Sequence, residues 1–109
     1  MNVTDRSYEF DGVRMTGYLA DGSDGAKASG ILVAHEAPGL GDHMKRRARM
    51  LAELGYVAFA LDMYGRVGLT LDEARTQSKT LMSDARIMRG RARAALNVLA
   101  EHPHCVHRS

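Results

Sequence analysis

The chain has 109 residues, 45% of them apolar and 26% charged, with a formal net charge of +2. That suits one small globular domain and is too weakly basic to argue for nucleic acid. With no run of 18 apolar residues, no charged-then-apolar leader in MNVTDRSYEF and a single cysteine, Cys105, neither a membrane span nor a signal peptide nor an internal disulfide is expected, and a cytoplasmic protein is expected, in which the Asn2 sequon goes unused.

Residues 8–10 and 14–19 carry β-formers around Asp11-Gly12, a hairpin-type turn. Residues 20–29 hold three glycines, two aspartates and two serines, which predicts a surface loop. Residues 31–34 are a short continuous apolar run, the mark of a strand buried on both faces. Pro38-Gly39 and Gly41 then break the chain. Asp42 is placed to cap a helix whose stripe is Met44, Ala48, Leu51 and Leu54, and Gly55 ends it. Residues 56–61 read as a second buried strand.

Two strands joined by a helix over some thirty residues form a βαβ unit, so the pair should be parallel with a right-handed crossover. Thr70 and Glu73 have capping-box spacing, and Leu71, Ala74, Ser78 and Leu81 share one face of the helix that follows. A last helix is expected from about 83 to 101, with Met88, Ala92, Ala95, Leu96 and Leu99 as its stripe and Pro103 as its stop. This makes four strands and three helices, an α/β fold.

The segments ILVAHEAPGLG (31–41) and LDMYG (61–65), with the helix between them, resemble the dienelactone hydrolase family, a branch of the α/β-hydrolase fold. The likeness extends loosely over the hairpin and the last helix, and it corresponds to the first half of the family's length. It implies a three-layer αβα domain with an incomplete sheet, residues 1–109 forming one truncated domain. It also implies hydrolysis of a lactone or carboxylic ester by a Cys-His-Asp triad. The family's nucleophile sits in a G-x-C-x-G elbow, and neither this motif nor G-x-S-x-G occurs here. Cys105, between His104 and Val106 and beyond a proline, is no elbow. The expectation is a fragment without nucleophile or triad, inactive alone. The alternative is a non-catalytic truncated domain that serves as an oligomerising or binding module.

What the resemblance transfers residue by residue is Glu36, which would help activate the nucleophile. A thiol attacks well only as thiolate, and a partly buried carboxylate beside it can take the proton. The backbone N–H of Ala37 would be one half of the oxyanion hole. Tyr64, Arg66 and Arg75 are the substrate-binding candidates, the arginines because the family's substrates carry a carboxylate. Taken without the resemblance, Glu36 reads as a solvated carboxylate at a strand end in preference to a catalytic one.

Other chemistry-bearing residues have plainer readings. His35 is expected to be packed or hydrogen-bonded, and Asp62 to accept N–H groups at its strand's end. Lys45, Arg46, Arg47 and Arg49, and Arg86, Arg89, Arg91 and Arg93, read as solvated helix faces with no interleaved aromatics for nucleic acid. His102, His104, Cys105 and His107 are too crowded for a closed zinc site. No cofactor, metal, nucleic acid or membrane is expected, and the partner is a small ester or lactone. By resemblance the strand over 56–61 lies between the second and third strands, and a fifth should begin shortly after Ser109. Its absence would leave residues 31–34 as an exposed edge open to self-association.

Overall fold

A computed structural model of the chain describes residues 1–24, 27–34, 41–65 and 70–103, and the backbone of 105–106. The elements run β1 (Asn2–Phe10), β2 (Val13–Asp21), β3 (Ala28–Val33), α1 (Asp42–Glu53), β4 (Val57–Ala60), α2 (Leu71–Ser83), α3 (Ala85–Glu101) and β5 (Cys105–Val106). The sheet order is β1-β2-β4-β3-β5.

β1 and β2 form a full antiparallel hairpin, from Asn2 opposite Asp21 to Phe10 opposite Val13. Asp11 and Gly12 turn it with φ of 54° and 80°, the left-handed pair that a two-residue hairpin loop requires. Both strands are longer than their alternation alone predicts, because regular pairing carries polar residues into the ladder. β2 runs to Asp21, so the loop expected over 20–29 is shortened from both ends, and Asp21 and Ser23 within it are buried.

β4 pairs antiparallel with β2 and parallel with β3, which places it between them as the resemblance implied. α1 joins β3 to β4 and completes the βαβ unit. Val57 to Ala60 are all buried, and they alternate between two cores. Val57, Phe59 and Leu61 meet Tyr8, Met15 and Leu19 under Ala95 and Leu99 of α3. Ala58 and Ala60 join Ala20 and Val33 under Met44, Ala48 and Ala52 of α1. The alanine-rich contact lets α1 lie close, while the other face takes the larger side chains. Burying one such side chain as Phe59 contributes about 2–3 kcal/mol.

Several boundaries and faces differ from expectation. Asp42 does not cap α1; the cap position is Gly41, with no side-chain bond, and Asp42 lies in the first turn beside the helix's positive end. Leu54 is 75% exposed, and Ala52 takes the core position instead. Gly55, at φ 98°, ends α1 as predicted. The capping box at Thr70 and Glu73 is formed, with both bonds present. α3 begins at Ala85 because Asp84 caps it, its carboxylate accepting the N–H groups of Arg86 and Ile87. Of the predicted α3 stripe, Ala95 and Leu99 are buried, whereas Met88 and Leu96 are exposed.

The fifth strand begins inside the chain. Cys105 and Val106 pair parallel with Ala28 and Ser29, so the start of β3 is covered, whereas the open edge was expected at residues 31–34, which this pairing does not reach. Among the described residues, no helix is long and apolar enough to cross a membrane.

Candidate functional site

Parallel strands deliver their side chains and loops to one end, and the chemistry of open α/β sheets gathers outside their carboxyl ends. At that end of β3 and β4 lies a cleft of about 380 Å³. Its walls are Leu32 and Ala34 from β3 and the residue after it, Leu61, Met63 and Tyr64 from the turn after β4, Ser78, Leu81 and Met82 from α2, and Met88 and Ala92 from α3. The lining is apolar apart from two hydroxyls, those of Tyr64 and Ser78. Burial of Tyr64 raises its phenol above the ordinary tyrosine value, and the nearby Ser78 hydroxyl opposes this in part.

The turn that carries Tyr64 is tied from three directions. The Asp62 carboxylate accepts the backbone N–H of Tyr64 at 2.9 Å and that of Gly65 at 3.1 Å, as its sequence position suggested. The Tyr8 hydroxyl, reaching across from β1, donates to the Asp62 carbonyl and accepts the Asp62 N–H at 2.8 Å. Burial pushes the Tyr8 phenol well above its usual range, with the Asp62 charge adding to the rise and Arg91 opposing it. From α3, Arg91 Nη1 donates to the Met63 carbonyl at 2.6 Å. Gly65 continues the turn at φ 80°.

Arg86, Arg89 and Arg93 are exposed as expected of a solvated face, but Arg91 is not, being only 8% exposed. The signal lay in its spacing: Ile87, Met88, Ala94 and Ala95 stand three or four positions away, so Arg91 occupies an apolar stripe. Ser78, Tyr8 and Arg91 are the residues around the cleft that sequence reasoning did not single out. In the other cluster, Lys45 and Arg49 are half-buried one turn apart over the ring of Tyr18, and Arg49 Nη1 donates to its hydroxyl at 3.1 Å.

Of the predicted site residues, Tyr64 lines the cleft. Arg75 is exposed on α2 and is not among the lining residues. Glu36, Ala37 and Arg66 lie outside the described residues, as do His35, His104 and His107. Glu36 follows two positions after the lining residue Ala34. His102 is committed elsewhere: its Nε2 lies 2.8 Å from Asp21 Oδ2, at the opposite end of the sheet. No group of three metal-ligating side chains occurs among the described residues.

The family model described as "Dienelactone hydrolase family" matches residues 15–108. A Saccharolobus solfataricus protein assigned as a carboxymethylenebutenolidase is 35% identical over 71 residues, which is 65% of this chain and 27% of that protein. The solved structure named m3DLH superposes with a TM-score of 0.88 at 35% identity. A dienelactone hydrolase-like promiscuous phosphotriesterase from metagenomic libraries superposes with a TM-score of 0.87 at 31% identity. In each structure the match covers 96% of this chain and 45% of the other, so the chain spans about half the length of these solved relatives.

Proposed function

Since the chain belongs to the dienelactone hydrolase family, we propose that it supplies the N-terminal half of a hydrolase that opens a carboxylic ester or lactone. The observation that carries this is the coincidence of the family match with a cleft at the carboxyl ends of β3 and β4, lined by Ala34, two positions before Glu36 in the sequence. Glu36 takes the proton of the attacking nucleophile on demand, because a carboxylate held in a partly apolar surround is basic enough to do so. The Ala37 N–H stabilises the oxyanion, Tyr64 contacts the substrate from the cleft wall, and Arg66 and Arg75 attract a substrate carboxylate. The nucleophile comes from outside residues 1–109, where no elbow motif occurs. The single cysteine suits a reducing, cytoplasmic setting.

The test joins residues 1–109 to the C-terminal part of the phosphotriesterase relative and assays p-nitrophenyl esters and a dienelactone. The chimera should hydrolyse at least one of them, and Glu36→Gln should lower turnover by roughly 10²-fold. Residues 1–109 alone should show no turnover above buffer. A folded chimera without hydrolysis of any ester would refute the proposal.

A second reading, a non-catalytic module that self-associates, is favoured by one observation. Met82 and Met88, on the rim of the cleft, are exposed. Light scattering of residues 1–109 decides it: a monomer at high concentration excludes this reading.

A further inference from the structure

Among the described residues, Arg91 alone keeps a buried side-chain donor, its Nε, without a hydrogen-bond partner. Nor does any described carboxylate lie within ion-pair distance of it. Desolvating a guanidinium without a carboxylate opposite it costs stability, and an apolar side chain of similar length would fill the space at less cost. Packing therefore does not account for Arg91. What it touches does.

Arg91 Nη1 holds the Met63 carbonyl at 2.6 Å, and the Asp62 carboxylate holds the Tyr64 N–H at 2.9 Å. That carbonyl and that N–H belong to the same peptide unit. A peptide is planar, so anchors at both of its ends define its plane and the position of the Cα that follows. The anchors are also oppositely charged, cation at the carbonyl and anion at the N–H, which aligns both with the peptide dipole and makes both bonds charge-assisted. Arg91 and Asp62 thus act as an ion pair with a peptide inserted between them. The Cα they set is that of Tyr64, which lines the cleft together with Ser78 of α2.

We propose that Arg91 is a positioning residue for the cleft: by gripping the Met63 carbonyl against the pull of Asp62 it holds the Tyr64 side chain on the cleft wall. The functional meaning of this rests on reading the cleft as an ester site, but its test needs no ester.

The test is NMR of residues 1–109 with labelled arginine and tyrosine. In the unsubstituted chain the Arg91 guanidinium protons should give separate, slowly exchanging signals while those of the exposed Arg89 and Arg93 are averaged. In Arg91→Met the Tyr64 ring signals should shift and its phenol should titrate in the ordinary tyrosine range, with the chain still cooperatively folded. Arg91→Lys, which keeps a cationic donor, should return Tyr64 towards its original titration. A folded Arg91→Met with Tyr64 unchanged would overturn the inference. So would averaged Arg91 signals in the unsubstituted chain, and that measurement decides the matter should Arg91→Met fail to fold. A chimera inactive on every ester would count against the ester reading and leave this result standing.

Discussion

Tyr8→Phe isolates one hydroxyl at the centre of the fold. The ring would stay where it is: Tyr8 is 8% exposed, its ring sits edge-on to Phe59 at 5.8 Å, and phenylalanine fills the same volume. What leaves is the oxygen that serves both the N–H and the C=O of Asp62. Asp62 is itself buried, so neither backbone group gains water in exchange. Leaving a buried polar group unpaired costs about 1–3 kcal/mol, so two groups sharing one lost partner should cost roughly 2–4 kcal/mol. For a domain of this size that corresponds to a fall in Tm of roughly 10–25 °C. Urea denaturation followed by circular dichroism should show a lower midpoint with an unchanged slope, since the exposed surface on unfolding is the same. Tyr18→Phe is the internal control, because Tyr18 is half-buried and, among the described residues, its hydroxyl bonds to the guanidinium of Arg49 and to no buried backbone group. A loss below about 0.5 kcal/mol in Tyr8→Phe, equal to that in Tyr18→Phe, would refute the assignment of Tyr8 as the tie between β1 and the site turn.

The same hydroxyl makes stability fall at alkaline pH. The folded chain holds the Tyr8 proton more tightly than the unfolded chain does, so the stabilisation is complete below about pH 10 and declines above it, by up to about 1.4 kcal/mol per pH unit. Tyr64 adds to the decline in the same direction. Urea midpoints at neutral pH and at about pH 11 should differ markedly, and less so in Tyr8→Phe. Gly22→Ala should destabilise by about 3 kcal/mol or more, because the new Cβ would lie 1.7 Å from the Ala52 carbonyl oxygen and the Gly22 N–H is bonded to the Tyr56 carbonyl at 3.0 Å, so neither backbone can yield. Denaturation melts check this, and a loss under about 1 kcal/mol would show that α1 shifts freely. Thr70→Ala should cost about 1 kcal/mol through loss of the capping box, read as a lower urea midpoint, and a neutral result would mean that packing alone holds the start of α2.

Much of the architecture was legible because it is written in local chemistry. The positive-φ turn at Asp11-Gly12, the capping box at Thr70 and the stop at Gly55 each need only neighbouring residues. The βαβ unit was legible because two apolar runs flank one amphipathic stripe, and its parallel pairing followed. Asp62 was read correctly as an acceptor of turn N–H groups, since a carboxylate at a strand's end has those donors within reach. The extent of burial on each helix was less legible. Leu54 and Leu96 fall on apolar stripes yet stay exposed, because the helix–sheet contact is narrower than the stripe.

By itself, then, the sequence determined the family and the order of the elements, because these depend on periodicity, turn residues and short motifs. Tertiary structure alone decided which polar groups are buried and whom they meet. Tyr8 finds Asp62 across 54 positions of chain, and Arg91 finds Met63 across 28. Their partners are set by the packing of α3 and β1 around β4, and no local rule of spacing encodes a contact between elements that become neighbours only when the sheet closes around a shared core.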